Sequence, residues 1–133
     1  MSCIPSKGTR PEIALGKELW ENGLRYRKHY KIAGCPDFAI VSKKIAIFVD
    51  GDFWHGNNWK LRGLKSLDRE LAGYKKFWKN KIKNNIRRDK KVNDELRKNG
   101  WKVLRYWESD LKKKPQKIIH DISRVYHARK PSL

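Results

Sequence analysis

A chain of 133 residues is long enough for one domain with a real core and too short for two. Its 33 Lys and Arg against 14 Asp and Glu give a formal charge of +19 spread along the whole length, which points to a polyanion partner, nucleic acid first, over a merely solvated surface. A membrane role is disfavoured, because no segment joins the basic residues to a large apolar face and no run of about 18 apolar residues occurs.

Residues 1–8 have no hydrophobic period and read as an extended arm. Thr9-Arg10-Pro11-Glu12 then supplies a helix start, with Thr9 as N-cap, Pro11 in the first turn and Glu12 at the third position of a capping box. The helix is expected to run to about Asn22, burying Leu15 and Leu19 and leaving Lys17, Glu18 and Glu21 wet, with Gly23 as its stop. Leu24 to Tyr30 alternates as a strand with a basic face. A turn at residues 33–36 leads into a second strand opening at Asp37, and Ser42-Lys43-Lys44 returns the chain into Ile45–Val49, an apolar run that predicts a buried third strand. Asp50-Gly51-Asp52 ends that strand with two carboxylates. Beyond it, Phe53, Trp54, His55 and Trp59 lie in a stretch too rich in Gly and Asn for a packed helix, and large rings with an imidazole on a loop suggest a site.

The cysteines, Cys3 and Cys35, lack ligand-pair spacing, and no signal peptide is read in the sequence, so a reducing, cytoplasmic or nucleoid-associated setting is expected with Cys35 as a small turn residue. Residues 60–70 are basic and irregular. A long helix is predicted from about Leu71 to Lys98, stopped by Asn99-Gly100. Its stripe of Trp78, Ile82, Ile86, Val92 and Leu96 is interrupted by Asn85 and Asp89. Burying Asp89 alone would cost several kcal/mol, so a cation, a metal-linked group or a histidine is expected beside it. Trp101–Trp107 reads as a fourth strand, and Pro115 opens a last amphipathic helix with Ile118, Ile119, Ile122, Val125 and Tyr126 inward.

The order α-β-β-β-α-β-α predicts a single α/β domain over residues 1–133, a mixed sheet of about four strands flanked by helices. The fourth strand, reached through a helix, should lie parallel to the 45–50 strand. A short hairpin then brings Asp37 and Asp50 to one end of the sheet, where two carboxylates and a substrate phosphate suit Mg²⁺; the plainer reading makes both of them turn formers. His55 is either a general base oriented by Asp89 or a surface-loop histidine. Glu12 is accounted for by the capping box alone. Phe53, Trp54 and Trp78 are core residues or rings that stack on or wedge between bases.

Residues 8–15 (GTRPEIAL), 35–41 (CPDFAIV), 45–56 (IAIFVDGDFWHG), 77–89 (FWKNKIKNNIRRD) and 100–109 (GWKVLRYWES), in this order and spacing, resemble the very-short-patch repair (Vsr-like) DNA endonucleases and related nicking, restriction and homing nucleases, over Met1 to about Leu111. The resemblance implies a restriction-endonuclease-like core. It also implies that Asp37 and the backbone carbonyl of Val49 bind the metal, that Asp50 stands at a metal-site position held by histidine in the best-known relative, that His55 is the general base with Asp89 hydrogen-bonded to it, and that Glu12 lies near the metal's water shell. Phe53, Trp54 and Trp78 match aromatics that insert beside the mismatched pair, and Met1 matches a wedge from the opposite groove. Asn85 falls in the same motif without a role. The family's structural zinc is not expected, since Asp52, Asn57, Trp59 and Ser109 stand at its Cys and His positions.

The expectation is therefore a Mg²⁺-dependent endonuclease, with Mn²⁺ able to substitute, that hydrolyses a phosphodiester in double-stranded DNA by nicking one strand, with a T:G mismatch as its repair substrate. A monomer without a small-molecule cofactor is expected. A sequence-directed homing or restriction-type enzyme of the same fold and a catalytically inactive DNA-binding module are the alternatives.

Overall fold

In the computed structural model, which describes residues 10–51, 66–67 and 71–130, strand β3 (Ile45–Asp50) is the axis of the molecule. Its first four residues are buried, so it is covered on both faces, as an apolar run in mid-sheet requires. Helix α1 (Arg10–Glu21) and strands β1 (Arg27–Lys28) and β2 (Phe38–Ile40) precede it. Helix α2 (Lys76–Lys98), strand β4 (Lys102–Trp107) and helices α3 (Glu108–Lys113) and α4 (Pro115–Ala128) follow. The sheet order is β1-β2-β3-β4. The first two pairings are antiparallel and β3–β4 is parallel, with Ile45 opposite Lys102 and Asp50 opposite Trp107. That is the parallel placement expected of a strand reached through a helix.

Alternation along β3 divides the interior. Ile45 and Ile47 enter a cluster with Leu15, Leu19, Phe38, Leu111, Ile118 and Ile122, so α1, α3 and α4 cover this face. Ala46 and Phe48 enter a second cluster with Val92 and Leu96 of α2. Asp50, next in the same alternation, belongs to the α2 side. Gly23 closes α1 at φ 80, the left-handed stop anticipated for it.

At the end of the sheet remote from Asp50, Arg129 donates to the carbonyls of Lys43 (2.7 Å) and Gly100 (2.8 Å), while Lys43 Nζ donates to the Arg129 carbonyl (2.8 Å). On the α2 side Gly34 takes φ +74, and a Cβ built there would lie 2.5 Å from Val92 Cγ1, so the turn before Asp37 rests directly on the long helix.

Several expectations need correction. Strand β1 holds two residues instead of Leu24–Tyr30, because His29 at φ 49 breaks the extended chain. The long helix starts at Lys76, after turn residues 72–74, and not near Leu71. The short helix α3 was not anticipated. Cys35, at φ 46 with its amide donating to the Ile32 carbonyl at 3.0 Å, sits in a turn as expected. No helix among the described residues is long and apolar enough to cross a membrane.

Candidate active site

The carboxylate of Asp37 sits at the start of β2, where the hairpin with β3 brings it against the β3 backbone: Val49 N donates to Asp37 Oδ2 at 2.7 Å. Behind it, the Asp37 carbonyl accepts from the His29 amide at 3.4 Å. Burial pushes the Asp37 carboxyl from 3.8 up to about 6; the Val49 hydrogen bond and His29 oppose the rise, while the charges of Glu12 and Asp50 add to it. The charges of Glu12 on α1 and Asp50 on β3 thus act on Asp37 at the start of β2. Such a group of like charges is relieved by a cation.

Glu12 points inward. It is 5% exposed, its Oε1 lies 3.9 Å from Lys28 Nζ, and its charge acts on Asp37; Thr9, its partner in a capping box, lies outside the described residues.

Asp50 is also buried, and its counter-ion was not foreseen. Arg105 of β4 places Nη1 3.0 and 3.1 Å from the two Asp50 oxygens and 3.6 Å from Asp89 Oδ1. Its Nε donates to Asn93 Oδ1 at 2.7 Å, and its guanidinium lies 4.1 Å from the centroid of the Phe48 ring. Parallel pairing sets Phe48 beside Arg105, and Asp89 and Asn93 fall one turn apart on α2, so sheet and helix each supply part of the cradle. Asp89 is half-buried with a cation beside it, one of the partners expected for a polar break in the apolar stripe.

Trp78 and Phe77 stand at the start of α2 as an edge-to-face pair with centroids 5.0 Å apart, exposed at 37% and 65%. Trp78 is thus on the surface and not in the core. Asn85 Oδ1 accepts from Arg88 Nη2 at 2.8 Å. The outer side of α2 exposes Lys83, Arg87, Lys90 and Lys91. Met1, Phe53, Trp54 and His55 lie outside the described residues, as do Asp52, Asn57 and Trp59.

The donors that come together are carboxylate oxygens, with the backbone carbonyl of Val49 next to the group that Asp37 grips. Hard oxygen donors of this kind suit Mg²⁺ or Mn²⁺ and not a thiophilic ion. Among the described residues no group of three or more His, Cys, Asp and Glu is arranged to hold a metal. Arg105, Asn93 and Phe77 were missed in the sequence. The demand of Asp89 for a cation, combined with the parallel register of β4, was the signal that could have found Arg105.

Comparison with known proteins bears on the chain as a whole. The family model described as DNA mismatch endonuclease Vsr matches residues 1–61. A type II nicking enzyme of Haemophilus parainfluenzae is 46% identical over 125 residues, 93% of this chain and 85% of that protein. One from Neisseria meningitidis serogroup C is 50% identical over 85% of this chain and 74% of its own length. The DNA mismatch endonuclease Vsr of Escherichia coli K12 is 32% identical over 84% of this chain and 69% of its own. Among solved structures, the catalytic domain of the homing endonuclease I-Bth0305I superposes with a TM-score of 0.59 over 89% of this chain and 94% of that one at 24% identity, which shows the restriction-endonuclease-like fold.

Proposed function

The chain belongs to the family of the DNA mismatch endonuclease Vsr, and on that premise we propose that it is a Mg²⁺-dependent endonuclease that hydrolyses a phosphodiester in one strand of duplex DNA, acting as a single, monomeric endonuclease domain in the cytoplasm or on the nucleoid. One observation carries the proposal: the partly buried Asp37 carboxylate, held on the Val49 amide at the β2–β3 edge, with the charges of Glu12 and Asp50 acting on it.

In this reading Asp37 and the Val49 carbonyl hold the metal, with Mn²⁺ able to replace Mg²⁺, and Glu12 orders water beside it. The bound ion supplies Lewis-acid stabilisation of charge developing on the phosphate and its leaving oxygen. The protein's own part is positioning and proton transfer. His55 takes the proton of the attacking water, Asp89 helps to orient that imidazole, and Asp50 adds negative charge at the strand end. Lys83, Arg87, Lys90 and Lys91 on α2 offer a run of phosphate contacts. Trp78, together with Phe53 and Trp54, presents rings to the bases, Met1 approaches from the other groove, and Asn85 lies along the same helix. Structural zinc has no part in this reading.

The substrate proposed first is a T:G mismatch. A sequence-directed nick is favoured by the higher identity to proteins named type II nicking enzymes (46% and 50%) than to the named mismatch endonuclease (32%). A nicking assay on matched and T:G duplexes in several sequence contexts separates the two. Asp37→Ala should abolish metal-dependent cleavage while leaving DNA binding nearly intact, and retained cleavage removes Asp37 from the site. Protein inert with Mg²⁺ and Mn²⁺ on every duplex would instead be a DNA-binding module.

A further inference from the structure

Arg105 is a partly buried cation next to the candidate catalytic edge. It is held from four directions: by the Asp50 oxygens at 3.0 and 3.1 Å, Asp89 Oδ1 at 3.6 Å, Asn93 Oδ1 at 2.7 Å and the Phe48 ring at 4.1 Å. The side chains of Arg105, Asp50 and Asp89 are 19%, 11% and 23% exposed, so this charge group is shielded from solvent. A guanidinium fixed at Nε by an amide and stacked on a ring cannot swing away without giving up both contacts.

Resting on the nuclease reading, we propose that Arg105 is a positioning residue that engages both Asp50 oxygens and so keeps Asp50 out of the metal's inner shell, leaving Asp37 and the Val49 carbonyl as the direct protein ligands. Each carboxylate oxygen can accept more than one hydrogen bond. Asp50 therefore remains able to accept from an ordered water while its charge is answered by Arg105. The same guanidinium ties Asp50 of the sheet to Asp89 of α2, so strand end and helix share one counter-ion. Were Asp50 to turn toward the metal, Arg105 would keep a buried charge with one partner fewer, a strongly unfavourable outcome.

Mn²⁺ binding to DNA-free protein, by calorimetry and by the paramagnetic resonance spectrum of the bound ion, tests this apart from catalysis. Asp50→Asn should leave Mn²⁺ affinity within about fivefold of wild type and the spectrum unchanged, whereas loss of an inner carboxylate ligand should cost about tenfold or more. In Arg105→Gln the released Asp50 should tighten Mn²⁺ binding by about tenfold and alter the spectrum, while nicking falls by about 10²-fold. Adding Asp50→Asn to Arg105→Gln should restore wild-type Mn²⁺ affinity. Asp50→Asn weakening Mn²⁺ by about tenfold or more, or Arg105→Gln leaving affinity and spectrum unchanged, overturns the proposal. The Asp50→Asn measurement needs no Arg105 variant, so it decides the matter even if Arg105→Gln fails to fold. Failure of the nuclease reading looks different: wild type then nicks no duplex, and Asp37→Ala binds Mn²⁺ as well as wild type.

Discussion

Asp37→Asn should stabilise the metal-free protein while it destroys nicking. The folded protein holds the Asp37 proton more tightly than the unfolded chain does, since burial, Glu12 and Asp50 together push the carboxyl from 3.8 up to about 6. A raised value means that stability is greatest below the unfolded pKa and is lost as pH rises through the folded one. At about 1.36 kcal/mol per tenfold, the ionised carboxylate costs the fold roughly 0.5 kcal/mol near pH 4, about 1.5 near pH 5 and about 3 near pH 7.5. Asparagine stays neutral and keeps an oxygen for the Val49 amide. Thermal melts in EDTA should therefore show variant and wild type nearly level at about pH 4, with the variant about 5–10 °C higher at about pH 7.5. Mg²⁺ should narrow the gap by stabilising wild type alone. A gap that is flat with pH, or a variant less stable at pH 7.5, would refute the claim that Asp37 is a destabilised anion awaiting a cation.

Other outcomes follow from the same site and its surroundings. His55→Ala should slow single-turnover nicking by about 10²-fold or more, the usual worth of a positioned base, and a change of only a few-fold would return His55 to a surface loop. DNA affinity measured by fluorescence anisotropy should fall by about 10³-fold between roughly 50 and 200 mM salt if about six phosphates are contacted; a flat response would contradict the duplex assignment. Gly16→Ala should destabilise by about 1–3 kcal/mol in urea unfolding, because the new Cβ would meet Tyr26 Oη at 2.7 Å and Phe38 Cε1 at 3.1 Å; wild-type stability would mean that Tyr26 yields freely.

The sheet was largely legible in the sequence because its signals are local and redundant. An apolar run at Ile45–Phe48, a hairpin turn at residues 42–44 and a helix before Lys102 leave few ways to order the strands, and the convergence of Asp37 and Asp50 follows from that order. Arg105 was not legible in the same way. Within Lys102–Trp107 it reads as one more basic residue on a basic protein, and only the parallel register beside Phe48 brings it to Asp50 and Asp89. Glu12 reads two ways for a related reason: a capping motif explains its presence in the chain but says nothing about the side on which it is buried. His29 ends β1 through a positive φ that its side chain does not announce.

The contact of Gly34 with Val92 gives the chain a constraint on how it can vary. Any side chain at position 34 must tolerate a left-handed backbone and also find room where Val92 Cγ1 already stands. Shrinking Val92 answers only the second demand and opens a gap beneath Phe48. A library that randomises one of these positions with the other fixed should return almost nothing but wild type at position 34, and a designer who wishes to move the basic helix must redesign the turn that carries Asp37 at the same time.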